Sequence, residues 1–150
     1  MAKHDLFPIP FLGWHMSLAG YIPLKRDNVE SGKNAVFKAR DWLKKGVSVL
    51  FFPEGTRSPD GEIKELKAGA FRLAQQEKLK VLPIVINGTF DAIPKESWRI
   101  KKRTEFTLVI EKPRDLSQIK NLAVVEEIRT EMIGRLKEVR QSMANENFQS

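Results

Sequence analysis

The sequence predicts an α/β fold in which helices flank a mainly parallel sheet. Three observations carry that expectation. Two short runs, "VSVLFF" at residues 47–52 and "VLPIVI" at 81–86, are apolar at nearly every position, the pattern of a strand covered on both faces. Around them, apolar residues recur at intervals of three and four, the period of an amphipathic helix. The two patterns alternate along the chain, as they do in sheets built from strand–helix–strand units. At 150 residues the chain reads as one domain, residues 1–150, long enough to bury a core.

Residues 6–24, "LFPIPFLGWHMSLAGYIPL", contain no Lys, Arg, Asp or Glu, and that length approaches a membrane span. Pro8, Pro10 and Pro23, with Gly13 and Gly20, break a continuous spanning helix. A short helix near residues 11–19 is expected instead, packed in the core or lying at a bilayer interface through Trp14 and Tyr21. Core packing is the favoured alternative, with His15 packed between Trp14 and Met16. "YIPLKR", residues 21–26, is a short extended segment ending in a basic pair.

A helix is predicted over residues 31–45, with Val36, Ala39 and Leu43 on one face, Ser31 capping its start and Gly46 closing it. The apolar run 47–52 follows as an interior strand. A polar loop then covers 53–66, with "SPDG" at 58–61 as a turn signal. A second helix over 67–77 packs Ala70, Phe71 and Ala74. Strands follow at 81–86 and at "FTLVIEK", 106–112, the latter closed by Pro113. A final helix over 121–140 carries Val125, Ile128, Met132, Leu136 and Val139 at spacings of three and four. The tail "ANENFQS" is expected to fray.

Composition narrows the chemistry. The chain has no cysteine, which excludes disulfides, thiolate zinc sites and cysteine nucleophiles. His4 and His15 are the only histidines, so a histidine-rich metal site is excluded as well. Twenty-six basic against 19 acidic residues leave a net charge of +7. That balance suits a polyanionic partner or a solvated surface. Residues 1–13, "MAKHDLFPIPFLG", have neither the long apolar core nor the small-residue cleavage site of a secretory signal.

Ligands of open α/β sheets bind beyond the carboxyl ends of the strands, and "PEGTR", residues 53–57, stands at such an end. Gly55 lets the backbone turn sharply and approach a ligand. Arg57 can fork onto two phosphate oxygens. Glu54 can accept from a polyol hydroxyl or hold Arg57 in place, and Thr56 adds a hydroxyl and an N–H. Lys67 and Gly69, at the opening of the next helix, bring positive charge and a helix N-terminus to the same end of the sheet. Taken alone, Glu54 and Arg57 also fit an ion pair tying down a surface loop.

"FFPEGTRS" (51–58), then "KAGAF" (67–71), then "VLPIVINGTFDAIP" (81–94) together resemble the glycerolipid acyltransferase family, closest to the 1-acylglycerol-3-phosphate acyltransferases that make phosphatidic acid. "GYIPLKR" (20–26) is similar to that family's second block, which implies a phosphate-binding role for Arg26. "FPEGTR" resembles the third block, implying substrate-binding roles for Glu54, Gly55, Thr56 and Arg57, with Lys67 adding charge. "VLPIVI" resembles the fourth, in which Pro83 shapes the floor of the acyl site. The resemblance covers about residues 1–94. It implies an incomplete glycerol-3-phosphate acyltransferase-like fold and transfer of a fatty acyl group from acyl-CoA or acyl-carrier protein to lysophosphatidate. No metal or other cofactor is implied, and the expected location is peripheral, on the cytoplasmic face of a membrane.

The family's first block is His-x-x-x-x-Asp, in which the histidine is the general base and the aspartate orients it. Here Ile9 stands five positions after His4, and Gly20 five after His15, so neither histidine begins such a block. Adjacent His4 and Asp5 are poorly placed to substitute, because neighbouring side chains diverge on a helix or a strand. A truncated acyltransferase, one half of a split enzyme completed by another polypeptide, and a non-catalytic module binding anionic lipid remain as explanations, with truncation favoured. For the module, Trp98 among the basic residues of "KESWRIKKR" (95–103) suits a membrane surface. Nucleic acid is not an expected partner, since no recognition motif or aromatic platform accompanies the charge.

Overall fold

The computed structural model describes residues 2–25, 28–92, 105–118, 121 and 123–147. By its internal contacts the chain divides into two compact units, Met1–Gly55 and Thr56–Ser150.

In the first unit, β1 (Ala2–Lys3) runs parallel to β2 (Pro23–Leu24), with Ala2 opposite Pro23 and Lys3 opposite Leu24. A 3-10 turn at His4–Leu6 follows β1, and helix α1 occupies Leu12–Leu18. Gly13 is required where α1 begins. A Cβ there would lie 1.8 Å from the Phe7 carbonyl oxygen, far inside contact distance, so only glycine admits the crossing backbone.

Helix α2 spans Val29–Lys44. Its cap is Asn28, whose side-chain oxygen accepts from the Ser31 N–H at 2.8 Å. Ser31, the expected cap, lies inside the helix, and its hydroxyl instead accepts from the Lys25 N–H at 2.9 Å. Asn ranks with Ser as an N-cap, so composition alone does not choose between positions three apart. Gly46 closes the helix at φ +77°, as its place in the sequence predicts. Ala35 and Ala39 are buried, and Val36 and Leu43 are half-buried. Among the described residues, Met16 and Ile22 complete the unit's buried apolar set with the two alanines.

Residues 47–52 overturn the expectation of an interior strand. No strand forms there, and Val47, Leu50 and Phe52 are exposed. An apolar run reports that a segment suits burial; it does not report a neighbouring backbone in register to pair with it.

The second unit contains α3 (Gly69–Gln76), β3 (Lys80–Val81), β4 (Ile84–Asn87), α4 (Thr89–Ala92), β5 (Thr107–Ile110), β6 (Arg114–Asp115) and α5 (Ala123–Asn147). "VLPIVI" is divided by Pro83, which has no N–H to give to a ladder. The halves take different partners. β3 pairs with β6 and β4 with β5, both antiparallel, with Ile84 opposite Ile110 and Asn87 opposite Thr107. Mixed helix and sheet is therefore the class, but of the three described ladders only β1–β2 is parallel. Strand direction is set by the connection, and apolar runs carry no record of it.

The core of this unit gathers Leu66, Phe71, Ala74, Leu116, Val125 and Ile128, with Ile63, Val81 and Met132 packed around them. Leu73, absent from the predicted helix face, is the most deeply buried large side chain among the described residues. Helix α5 packs on β4 and continues through Asn147, past the predicted end and into the tail expected to fray. Among the described residues no helix is long and apolar enough to cross a membrane.

Candidate functional site

The "FPEG" stretch is a hydrogen-bonded turn, with the Gly55 N–H donating to the Phe52 carbonyl at 3.1 Å. Pro53 occupies its second position, where its fixed φ is already suitable. Gly55 stands at φ +73°, in the left-handed region that favours glycine. Glu54 is half-buried, whereas Thr56 and Arg57 are exposed. Glu54 and Gly55 end the first unit; Thr56 and Arg57 begin the second. Arg26 and the basic segment 95–103 lie outside the described residues.

The loop after Arg57 is held in two ways. Ser58 Oγ donates to Asp60 Oδ1 at 2.7 Å, and the Glu62 N–H donates to the same oxygen at 3.0 Å. These bonds hold the Asp60 carboxyl below the usual carboxylate range, the Ser58 hydroxyl contributing most. Helix α5 then fastens the loop's carbonyls. Arg129 donates to Lys64 O at 2.9 Å and Ile63 O at 3.1 Å, and Arg140 donates to Gly61 O at 2.7 Å. Sequence reasoning missed both arginines. The available signal was their spacing of eleven, three helical turns, which puts them on one face near the buried Leu136.

Lys67 is exposed just ahead of α3, whose N-cap, Ala68, supplies no side-chain hydrogen bond. Pro83 is buried between β3 and β4, and its carbonyl accepts from the Glu111 N–H at 3.0 Å.

The first unit holds an open depression of about 250 Å³ that the sequence did not reveal, lined by His4, Lys25, Asn28, Ser31 and Lys38 among others. Its position follows from the parallel pair. His4 directly follows β1 and Lys25 directly follows β2, so the same ladder delivers both side chains to its carboxyl end. Glu30 is the acidic residue on this wall against Lys25 and Lys38, a balance that favours an anion.

His4 is not oriented by its neighbour. Its Nδ1 lies 3.9 Å from Asp5 Oδ1, beyond hydrogen-bond range, while Lys3 Nζ meets Asp5 Oδ2 at 2.8 Å. The Lys3 ammonium holds the Asp5 carboxyl below its ordinary range. His15, expected to be packed, is exposed on α1, because the buried side of that helix is defined by Gly13 and Met16. Among the described residues no group of three His, Cys, Asp or Glu is placed to hold a metal ion.

A parallel strand pair opening on a depression walled by Lys25 and Lys38, and a "PEGTR" turn that depends on glycine, belong to a protein of mixed helix and sheet. Residues 1–87 match the Acyltransferase family, more than half of the chain, and the protein belongs to it. The chain is 41% identical over 113 residues to a chloroplastic 1-acyl-sn-glycerol-3-phosphate acyltransferase of Arabidopsis thaliana, covering 75% of this chain and 32% of that relative. It is 35% identical over 149 residues to the 1-acyl-sn-glycerol-3-phosphate acyltransferase of Saccharomyces cerevisiae, covering 95% of this chain and 49% of the relative. The crystal structure of the 1-acyl-sn-glycerophosphate (LPA) acyltransferase PlsC from Thermotoga maritima superposes with a TM-score of 0.79 at 29% identity, covering 93% of this chain and 55% of that one. The chain thus spans about a third to a half of the length of these relatives.

Proposed function

We propose that this chain supplies the phosphate- and glycerol-binding part of a lysophosphatidate acyltransferase of phospholipid biosynthesis. The observation that carries the proposal is the depression at the carboxyl ends of β1 and β2, lined by Lys25 and Lys38 and adjoining Arg26 in sequence. Arg26, Arg57 and Lys67 hold the substrate phosphate. Glu54 accepts from a glycerol hydroxyl or braces Arg57, while Gly55 lets the backbone approach the ligand, Thr56 adds its hydroxyl and N–H, and Pro83 shapes the acyl floor. The acyl donor is a thioester, acyl-CoA or acyl-carrier protein, and the product is phosphatidic acid.

In the transfer the glycerol hydroxyl attacks the thioester carbonyl, losing its proton to a base as the thiolate departs. Neither His4 nor His15 carries the spacing or the partner for that role, so the base comes from a histidine outside these 150 residues, on a preceding segment or a second polypeptide. General-base catalysis contributes roughly 10²–10⁴ in rate. The pure chain is therefore expected to bind lysophosphatidate with at most trace turnover of acyl-CoA. Titration calorimetry and a thiol-release assay check the two halves. Full turnover by the pure chain overturns the assignment of the base, and absence of binding overturns the site. A non-catalytic lipid-binding role is the second reading, favoured by the same depression; it predicts binding without turnover even when a histidine-bearing segment is supplied.

A further inference from the structure

The first turn of α2 carries a ring of hydrogen bonds that capping alone does not require. Asn28 caps the helix by accepting from the Ser31 N–H at 2.8 Å. Ser31 stands at the third helical position, where a capping box would place Glu or Gln to reach back to the N–H of the cap. Here the Asn28 N–H donates to the Lys25 carbonyl at 3.3 Å instead. The Ser31 side chain is left for another task. Its hydroxyl accepts from the Lys25 N–H at 2.9 Å, six residues back along the chain. The three bonds close on themselves, from Lys25 to Ser31, from Ser31 to Asn28 and from Asn28 to Lys25.

This ring ties the end of β2 to the start of α2, and Arg26 lies within it in sequence. Lys25 and Asn28 fix the backbone on its two sides. The ring also belongs to the candidate site. Lys25, Asn28 and Ser31 line the depression, as do Ala35 and Lys38, four and seven residues further along the same face of α2. Ala35 is 1% exposed, so this face is anchored in the buried apolar set of the unit. Both bonds made by Ser31 are exposed to solvent, where water replaces a lost partner and little folding stability is at stake. What they supply is orientation. A charge-bearing backbone fixed before the ligand arrives lowers the ordering cost of binding.

We propose that Ser31 is a positioning residue for the substrate phosphate, its hydroxyl holding the backbone that presents Lys25 and Arg26. This deepens the lysophosphatidate reading and rests on it. The test titrates the full chain with a monomeric short-chain lysophosphatidate by calorimetry. Ser31→Ala is expected to weaken binding about tenfold. Circular dichroism and the urea midpoint should hold, because alanine is the better helix former and Asn28 still caps α2. Ser31→Thr keeps the hydroxyl and should recover most of the affinity. A merely structural role would not depend on Arg26. Arg26→Gln removes a charge that the ring positions, and on that background Ser31→Ala should cost no more than about twofold. Unchanged binding by Ser31→Ala, where wild type binds, overturns the inference and leaves the phosphate site standing. An equal loss on both backgrounds also overturns it, by making the hydroxyl a structural group. A wild-type chain that fails to bind overturns the lysophosphatidate reading and this inference with it.

Discussion

Gly55 concentrates several constraints in one position. Its N–H closes the turn onto Phe52, its φ is +73°, and Thr56 and Arg57 follow it directly. An L-residue in that conformation costs roughly 1–2 kcal/mol, because Cβ crowds the carbonyl oxygen. Gly55→Ala is therefore expected to lower unfolding stability by about 1 kcal/mol in urea titration and to weaken lysophosphatidate binding more than that loss alone explains. Binding that falls only in step with stability would separate the turn from the ligand. This residue was legible in the sequence because proline and glycine carry their backbone geometry with them. His15 was not. Whether a histidine in an apolar stretch is packed depends on which side of its helix is covered, and Gly13 decided that through a close approach to Phe7 that no local pattern announces.

At the scale of elements, helices were read well and sheet pairing was not. Helical periodicity is local, so α2 and α5 fall close to their expected spans, and errors collect at the ends, where capping residues compete. Strand partners are set by distant segments. Residues 47–52 read as an interior strand and form none, while Pro83 divides a run that hydropathy treats as continuous. Long-range anchoring by α5 was equally hidden, because it joins Arg129 and Arg140 to carbonyls more than sixty residues away. It has a measurable consequence. Arg140 bonds Gly61 O, forms an ion pair with Glu62 at 2.5 Å and reaches Asn87 Oδ1 at 3.4 Å. With the side chain partly solvated, Arg140→Ala should cost about 1–2 kcal/mol. Arg140→Lys should recover little of it, since an ammonium lacks the planar fork that serves several acceptors. Urea denaturation of the two variants checks this. Full recovery by lysine would reduce Arg140 to a point charge.

Over the whole molecule, buried apolar volume is divided unevenly. The second unit buries Leu66, Phe71, Leu73, Leu116, Val125, Ile128 and Leu136, whereas the buried set described in the first is Met16, Ile22, Ala35 and Ala39. Two alanines contribute little transfer free energy beside leucine or phenylalanine, so local opening should cost less in the first unit. Amide hydrogen exchange followed by mass spectrometry is expected to label α2 before α3 and the central turns of α5. The depression bearing Lys25 and Lys38 lies in that weaker unit, and a ligand that binds the folded form alone stabilises it by mass action. Saturating lysophosphatidate should therefore slow exchange in α2 and around Lys25, and around Arg57 and Lys67 in the second unit, while leaving the C-terminal turns of α5 nearly unchanged. Protection spread evenly along α5 as well would count against a local site. Protection gained in neither unit would move the phosphate away from the β1–β2 ends, and with it the role proposed for this chain.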